Sequence, residues 1–240
     1  MPRRSLAELI DAKDPGWPVV QGWIARATNQ LEVLPPAATR ADTLVGLQVT
    51  TRSTMGAVAY ETGGILVDHG WVRLLGSGHP RLPREVVGWN RDRGVPLDHG
   101  APPFLLIADD VVGGFFALDG DRWGTDHHVH YVAPDTLRWE DTGKGYSDFV
   151  AWLFEGDLDT YYADYRWDGW QREVEAAPGD RAYSIVPFPF TQDAPIPRRS
   201  RRLIPVAELY GLYQDLARQL EDVPDGTPIN LQITAPPAKP

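Results

Sequence analysis

The stretch of sequence that decides the fold is PPFLLIADDVVGGFFALDGDRWG, which spans residues 102–124. Two apolar runs, residues 104–108 and 115–118, lie on either side of a turn that contains two aspartates and the pair Gly113-Gly114. Turn residues between two apolar runs are typical of a β-hairpin. The sequence therefore predicts two antiparallel strands at the centre of the fold.

A second strand pair and a helix are predicted after this hairpin. The segment VHYVAPDTLRWED, residues 129–141, has apolar runs on either side of Pro134-Asp135, where proline restricts φ and aspartate can bond its own backbone. The segment GYSDFVAWLFE, residues 145–155, begins with Ser147 or Asp148 as a helix cap and places its aromatic side chains at helical spacing. The central unit is thus predicted to be sheet followed by helix.

The composition indicates one globular body. The chain has 240 residues, of which 42% are hydrophobic, and this is enough for one substantial core. Cysteine is absent, which excludes thiol catalysis, disulfides and thiolate metal sites. No apolar run approaches the roughly 20 residues that cross a bilayer, and the first residues lack the apolar core of a secretory signal. We expect a cytoplasmic protein with no membrane contact.

The charge of the chain bears on its partners. The formal net charge is −10 and the pI is near 5.0. Phosphate contact needs a basic surface, so this charge argues against nucleic-acid binding. An acidic surface suits a basic partner, although solubility alone also explains it.

The N-terminal part predicts helices first and strands second. A short helix begins after Ser5, and apolar residues at helical spacing over residues 17–28 indicate another. Residues 44–51 are rich in β-branched and apolar side chains, which predicts a strand, and residues 65–68 and 71–75 predict two more.

The C-terminal part is predicted to be mainly helical. Helices are expected to begin at Asp157 and at Pro205. Residues 183–190 contain two prolines and predict an edge strand or an extended loop. Residues 195–202 are predicted to be irregular, and the apolar run 229–233 can add a strand.

These segments together predict an α+β fold, a single domain with a mostly antiparallel curved sheet flanked by helices. The strands are expected near Val45, Ile65, Trp71, Phe104, Phe115, Val129 and Leu137. The flanking helices are expected to be led by Trp17, Ser147, Asp157 and Pro205. Along the chain, residues 1–43 are predicted to be an N-terminal helical extension, residues 44–222 the core domain, and residues 223–240 a C-terminal tail.

The histidines at positions 127, 128 and 130 are candidate metal ligands. His128 and His130 would point to the same face of a strand, and Asp126 could add a third ligand. Histidines beside glycine and aspartate on a surface are also ordinary. We therefore expect no metal and no cofactor, and keep His128 and His130 as the candidates.

Two further sets of residues can be interpreted either as catalytic or as structural. Ser77 and His79 could form part of a hydrolytic triad with Glu61 nearby, but their segment differs from the G-x-S-x-G elbow and also suits a glycine-rich turn. Asp109 and Asp110 could act as paired carboxylates, yet adjacent residues on a strand face opposite sides. The structural interpretation is favoured for both, so we predict no catalytic residues.

The basic cluster formed by Arg198, Arg199, Arg201 and Arg202 could meet phosphate or an acidic partner. Surface ion pairs with the many carboxylates of the chain explain it more simply.

Several long segments resemble a known bacterial family. They are GLQVTTRSTMGAVAYETGGILVDHGWVRLLGSGHPRLP (46–83), FLLIADDVVGGFFALDG (104–120), VHYVAPDTLRWED (129–141), GYSDFVAWLFEGDLDTYY (145–162) and RWDGWQREV (166–174). The chain is identified from them as a member of domain-of-unknown-function family 2625, which carries no established activity. The order of these motifs is more distantly similar to the SUKH superfamily. That resemblance implies a curved sheet with flanking helices, and a role in neutralising a toxin or scaffolding other proteins.

We therefore expect a non-catalytic protein-binding module of the immunity or scaffold type, whose partner is another protein such as a basic toxin. Its contact residues are predicted to be Asp109, Asp110, Asp119, Asp121 and Trp123. The rival interpretation is a small-ligand-binding protein or hydrolase that uses Ser77 and His79 or residues 127–130. A homo-oligomer is a third interpretation.

Overall fold

The main sheet is a meander in which each strand pairs with the next one along the chain. The structure, a computed structural model, describes residues 3–97, 102–224 and 226–227. All six pairings of the seven-stranded sheet are antiparallel. Its strands are β1 (Leu31–Leu34), β2 (Gly64–Val67), β3 (Val72–Leu75), β4 (Phe104–Asp110), β5 (Phe115–Asp119), β6 (His128–Val132) and β7 (Trp139–Gly145).

The middle of this sheet is covered on both faces. Every residue of β2 and β3 is buried, and β4 is buried from Leu105 to Asp110. A strand with one solvated face would alternate buried and exposed residues, so the unbroken burial requires packing on both sides. In contrast, β7 lies at an edge of the sheet and is mostly exposed or half-buried.

Helices in the N-terminal two thirds of the chain supply part of this cover. They are α1 (Leu6–Leu9), α2 (Trp17–Arg26), α3 (Arg40–Leu47), α4 (Thr54–Glu61), α5 (Val86–Arg91) and α6 (Tyr146–Glu155). Asn90 fastens α5 to β4, because its amide donates to the Leu106 carbonyl and accepts from the Leu106 N–H, both at 2.8 Å. These bonds satisfy the backbone of β4 at the point where its register with β5 shifts.

The C-terminal elements close over the turn between β4 and β5. They are α7 (Leu158–Tyr161), α8 (Trp170–Glu175), β8 (Arg181–Val186), β9 (Ser200–Pro205) and α9 (Val206–Leu220), with β8 and β9 forming a separate antiparallel pair. The Tyr183 N–H on β8 donates to the Val111 carbonyl at 2.7 Å, and the Val111 N–H donates to the Trp71 carbonyl at 2.9 Å. The central turn is therefore an interior feature, continuous with the main core.

The predicted α+β class, antiparallel sheet and flanking helices are confirmed. The helix α2 begins at Trp17, Asp157 caps α7 and Pro205 caps α9, as expected. The helix α6 begins one residue before Ser147. Each of these starts carries a local capping or proline signal, except for α6, whose cap is Gly145.

Two predictions about secondary structure are wrong, and one strand of the main sheet was not predicted. Residues 44–51 do not form a strand, since residues up to Leu47 belong to α3, which Gln48 ends in a left-handed conformation with φ 58°. Thr43 and Leu44 are both buried, so burial does not alternate from one residue to the next as it does in a half-buried strand. The strand β1 was not predicted, and residues 200–205, which overlap the segment predicted to be irregular, form β9.

The predicted boundaries between the N-terminal extension, the core domain and the tail can be compared with the helices and strands. The boundary between residues 43 and 44 falls inside α3, and the proposed helical extension contains β1, a strand of the main sheet. Of the predicted tail, the structure describes residues 223, 224, 226 and 227, and the run 229–233 lies outside the described residues. No helix in the described ranges combines the length and apolar character needed to cross a bilayer.

Candidate functional site

Asp109 is buried in an ion-pair cluster inside the sheet. It lies opposite Arg73 in the β3–β4 register and pairs with that guanidinium, while Arg84 Nη2 lies 2.8 Å from its other oxygen. Its exposure is 1%. Burial lowers the pKa of Arg84 to about 10, an effect that the charge of Asp109 opposes. Asp109 therefore pairs with two buried arginines, and its burial corrects its expected place on an exposed surface.

Asp110 ends β4 and organises the turn that follows. Its Oδ1 accepts the N–H groups of Val112 at 3.0 Å and Gly114 at 2.8 Å, and its Oδ2 accepts the Tyr131 hydroxyl at 2.6 Å. The residue is 0% exposed. Burial raises the pKa of Asp110 to about 6, although the hydrogen bonds from Tyr131 and Gly114 act in the opposite direction. Asp110 too is inaccessible to a partner.

Asp119 ends β5, and its carboxylate organises the loop that follows this strand. Its exposure is 1%, and its carboxylate accepts five hydrogen bonds. The donors are the N–H groups of Asp121, Arg122, Trp123 and Thr125 at 2.7–3.1 Å and the Thr125 hydroxyl at 3.0 Å. Burial alone would raise the pKa of Asp119, but the backbone bonds lower it well below its usual range. This third predicted contact residue is thus also interior.

The two remaining members of the predicted contact set lie at the surface. Asp121 is exposed and Trp123 is half-buried. The Trp123 ring stacks on His130 with the ring centroids 4.2 Å apart and the planes at 22°. Their contact with a partner stays a prediction.

The three histidines have separate partners. His127 Nδ1 lies 3.0 Å from the Asp119 carbonyl, and His128 Nδ1 lies 3.0 Å from the Asp141 carboxylate. His130 Nε2 lies 2.8 Å from the Thr125 hydroxyl, whose own hydrogen goes to Asp119, so Nε2 carries a proton. Burial lowers the pKa of His130, which the charges of Asp141 and Asp119 partly offset. Within the described ranges no three metal-capable side chains converge.

Ser77, His79 and Glu61 are not arranged as a catalytic group. The Ser77 hydroxyl donates to the Thr62 carbonyl at 2.7 Å and accepts the Ala37 N–H at 3.1 Å. His79 Nδ1 accepts the Arg81 N–H at 3.1 Å, and Glu61 pairs with Arg40 at 3.4 Å. Ser77 is 2% exposed, so its hydroxyl fastens two backbone segments together.

The basic cluster of the sequence is dispersed by the fold. Arg201 pairs with Glu173 at 3.2 Å, and Arg199 points inward with an exposure of 8%. The Arg199 guanidinium donates to the carbonyl oxygens of Pro187, Phe188, Thr191 and Ala194 at 2.5–3.2 Å. Arg199 thereby holds the loop 187–199 in one shape.

The largest cavity that we find lies between this loop, the loop after β5 and the end of α9. Its volume is about 1050 Å³. We call it the tryptophan cleft. Its lining consists of Arg122, Trp123, 135–139, 190–192, Gln214, Ala217, Arg218, Leu220, Glu221, Val223, Pro224, Gly226 and Thr227.

Aromatic rings form one side of the tryptophan cleft. The centroids of Trp123 and Trp139 lie 5.3 Å apart, and Phe104 packs behind Trp123 at 6.0 Å. Phe190 enters from the loop that Arg199 holds, and it stacks on Phe188 with the centroids 5.4 Å apart. Both tryptophans are half-buried, so each keeps part of its surface free for contact.

A smaller cavity of about 350 Å³ lies on another part of the surface. His69 Nδ1 lies 2.5 Å from Glu175 there, and Arg81 pairs with Glu32. Because His69, Glu175, Arg81 and Glu32 already bond one another in pairs, this cavity offers a ligand few unpaired polar groups.

Of the residues that form the tryptophan cleft, the sequence predicts only Trp123 as a contact residue. It predicts Trp139 as part of a strand, Phe190 as part of an edge strand or extended loop, and Arg199 as part of a basic surface cluster. The two tryptophans at positions 123 and 139 are the sequence feature that could have indicated an aromatic binding surface. No local pattern links residues 122–139 to residues 190–192 and 214–227, because they meet only in the fold.

Comparisons with known proteins agree on one family. A family model described as "Protein of unknown function DUF2625" matches residues 6–209. The chain is similar to "Putative uncharacterized protein YbfG" of Escherichia coli, with 43% identity over 209 residues, which is 86% of this chain and 94% of that protein.

A second relative is an "Uncharacterized protein" of Haemophilus influenzae, 36% identical over 186 residues, or 77% of this chain and 82% of that protein. No solved structure matches the chain. The more distant similarity to the SUKH superfamily stays a prediction. Since the family model and the relatives each span most of the sequence, the chain belongs to the family of proteins of unknown function DUF2625.

Proposed function

We propose that this protein is a non-catalytic binding module that holds a segment of another protein in the tryptophan cleft. The observation that carries the proposal is the cleft itself, about 1050 Å³ in volume and lined by two tryptophans, a phenylalanine and three arginines. Tryptophan and arginine are the residues most enriched among those that dominate binding energy at protein interfaces.

The walls of the tryptophan cleft are held in place before any ligand arrives. Asp119 fixes the loop that carries Trp123, and Arg199 fixes the loop that carries Phe190. Ordering loops on binding costs free energy, so walls that are already ordered raise affinity. This arrangement supports a binding role.

The lining of the cleft also favours binding over catalysis. Among the described residues it contains no serine, cysteine or histidine. His130 lies behind Trp123, with its Nε2 proton directed at Thr125. Nucleophilic catalysis would require a nucleophile that is hydrogen-bonded to a base. The Thr191 and Thr227 hydroxyls donate to backbone carbonyls instead, and among the described residues no hydrogen bond joins a threonine of the lining to either carboxylate.

Neutralisation of a toxin is the more specific form of this proposal. It was expected from the similarity to the SUKH superfamily and from the acidic surface. A protein inhibitor of this type would need a preformed surface with a few anchoring side chains, and the tryptophan cleft is such a surface.

The proposal is tested by affinity capture with matched variants. Immobilised wild-type protein is incubated with a lysate of its native host, beside Trp139→Ala and the control Gln171→Ala, an exposed position on α8. We expect one stoichiometric protein to be retained by wild type and Gln171→Ala and lost from Trp139→Ala. Equal retention by all three, with unchanged circular dichroism, would contradict the proposal. The identity of the retained protein decides whether it is a toxin.

A further inference from the structure

Asp110 is buried without a cation as its partner, unlike its neighbour on β4. Asp109 pairs with two arginines. Among the described residues no arginine, lysine or histidine lies within ion-pairing distance of the Asp110 carboxylate. Arg73 Nη2 donates to the Asp110 carbonyl at 3.0 Å, which leaves the carboxylate itself without a positive charge beside it. Burial without a cation favours the protonated form of a carboxyl group.

The side chains that face this carboxylate are mostly phenols. The Tyr131 hydroxyl on β6 donates to Asp110 Oδ2 at 2.6 Å, and the Tyr162 hydroxyl, which follows α7, lies 3.5 Å from the same oxygen. Phenols stay neutral at physiological pH, so they cannot compensate a charge on Asp110. Four further ionisable side chains interact electrostatically with Asp110, namely Asp109, Tyr161, Tyr165 and Tyr213.

The helix α9 covers the turn that Asp110 organises. Gly113, in the middle of this turn, lies so close to α9 that a Cβ there would come within 2.7 Å of Leu209 Cδ2 and 2.8 Å of Tyr213 Cε2. Both of these α9 side chains are buried. Close packing of α9 on the turn therefore keeps water away from Asp110.

The same helix forms one wall of the tryptophan cleft. Its residues Gln214, Ala217, Arg218 and Leu220 line the cleft. Because α9 is the last helix in the part of the chain that the structure describes, it can leave the turn without breaking a strand pairing of the main sheet. One movement of α9 would thus admit water to the turn and remove this wall of the cleft.

We propose that Asp110 is a proton-controlled latch for α9. While the carboxyl group holds a proton, the closed position of α9 over the turn is favoured. When the group loses its proton, water solvates the charge better in the opened state, so α9 opens more readily. This latch goes beyond the proposed function, because it needs no partner and makes the shape of the tryptophan cleft depend on pH.

The direction of the pH dependence follows from the position of Asp110. Burial raises its pKa to about 6 when α9 is closed, and in the opened state the pKa returns towards its usual value of 3.8. The closed state therefore binds the proton more tightly. Its stabilisation by this group is complete below about pH 4 and is lost as the pH rises through about 6. From these two pKa values, the equilibrium constant for opening increases roughly tenfold between about pH 5 and about pH 7.

The test is hydrogen exchange of the full chain, measured by mass spectrometry at about pH 5 and about pH 7 and corrected for the intrinsic exchange rates. Amides of α9 are compared with those of β2, a strand that is buried throughout and reports global unfolding. We expect α9 to open more often than β2, with an opening constant that increases roughly tenfold between the two pH values. The increase should disappear in Asp110→Asn and stay in the control Asp121→Asn, at an exposed position.

Three results would overturn the latch. The first is an α9 that exchanges as slowly as β2 at both pH values, since it would then open only with the whole protein. The second is an opening constant of α9 that does not change with pH, and the third is an increase that persists in Asp110→Asn.

Tyr131→Phe is the second variant, in case Asp110→Asn does not fold. It removes a hydrogen bond that favours the charged carboxylate, so the increase in the opening constant of α9 should extend to higher pH than in wild type. An increase over the same pH range as in wild type would also overturn the latch.

Discussion

The neighbouring strands β4 and β5 both end at a buried aspartate, but a buried turn follows β4 and a surface loop follows β5. Asp110 ends β4 and Asp119 ends β5, and each buried carboxylate accepts N–H groups from the residues that follow it. The turn after Asp110 is covered by the C-terminal elements, whereas the loop after Asp119 carries Trp123 and Arg122 to the surface.

Burial and hydrogen bonding have different weights at the two carboxylates. Burial dominates at Asp110 and raises its pKa to about 6. Five donors outweigh burial at Asp119 and lower its pKa. An aspartate at the end of a strand therefore holds a buried turn in one case and a surface loop in the other. The following substitutions test this difference between Asp110 and Asp119, beginning with the largest expected effect.

Gly114→Ala tests how tightly the turn after Asp110 is packed. A Cβ at this position would clash with Asp110 Oδ2 and with the ring and hydroxyl of Tyr131. We expect a loss of at least about 4 kcal/mol in the free energy of unfolding, since these atoms are fully buried. Urea denaturation measures it. Gly211→Ala on α9 is the control, because a Cβ there meets no atom within 4 Å.

Asp119→Ala tests the loop that builds the tryptophan cleft. Four backbone N–H groups and one hydroxyl lose their acceptor, and we expect a loss of about 3 kcal/mol, because the opened loop can bond to water in part. Urea denaturation, compared with the exposed control Asp121→Ala, measures this loss. An unchanged midpoint would mean that the loop holds its shape without the carboxylate.

Asp110→Asn tests the sign of the pH dependence. The pKa of Asp110 is higher in the folded chain than in the unfolded one, so the folded state binds this proton more tightly. Stability from this group therefore falls as the pH rises from about 4 to about 6, by at most about 3 kcal/mol. Asp110→Asn should remove that decline, which urea denaturation across this pH range would show.

The contribution of Asp119 to stability should depend on pH in the opposite direction. Its pKa is lower in the folded chain, so its contribution is complete above about pH 4 and is lost as the pH falls further. Asp119→Asn should therefore flatten the acid side of the stability curve and leave the range between pH 4 and 6 as in wild type. If Asp119→Asn instead changed the stability only between pH 4 and 6, the predicted pKa directions of Asp119 and Asp110 would be interchanged.

Gly124→Ala should have the smallest effect. Gly124 has φ 69° and a Cβ there would meet no atom within 4 Å, so only the left-handed backbone is unfavourable for alanine. We expect a loss of about 1 kcal/mol by urea denaturation. A loss as large as that of Gly114→Ala would show that the surface loop is packed as tightly as the buried turn.

The sequence predicted the central hairpin because glycine and aspartate mark turns wherever they occur. It did not predict that this turn is interior, since the elements that cover it begin more than 40 residues later. Residues 44–51 were misread because β-branched residues favour strands only when packing agrees. Here Leu44 packs in a helix instead, and no local pattern predicts that.

The candidate site was predicted less well than the fold. Aspartate is usually exposed, so Asp109, Asp110 and Asp119 were placed on a contact surface although all three are buried. An aspartate turns inward where the fold supplies partners, which are arginines at Asp109 and backbone N–H groups at Asp110 and Asp119, and a local sequence pattern does not show these partners. Trp123 was predicted to make contact because of its residue type. It lines the tryptophan cleft, and its contact with a partner stays a prediction.

The meander order of the main sheet bears on how the protein is made. Each strand finds its partner in the strand synthesised just before it, so pairing can advance from β1 to β7 as the chain leaves the ribosome. Pairing between strands that are close along the chain closes short loops, which speeds assembly. Trp71 packs against Trp167 and Trp170, so its burial waits for residues translated almost a hundred positions later. Until those residues have been synthesised, the Trp71 side of the nascent sheet lacks this cover, and apolar surface that is exposed in this way promotes aggregation.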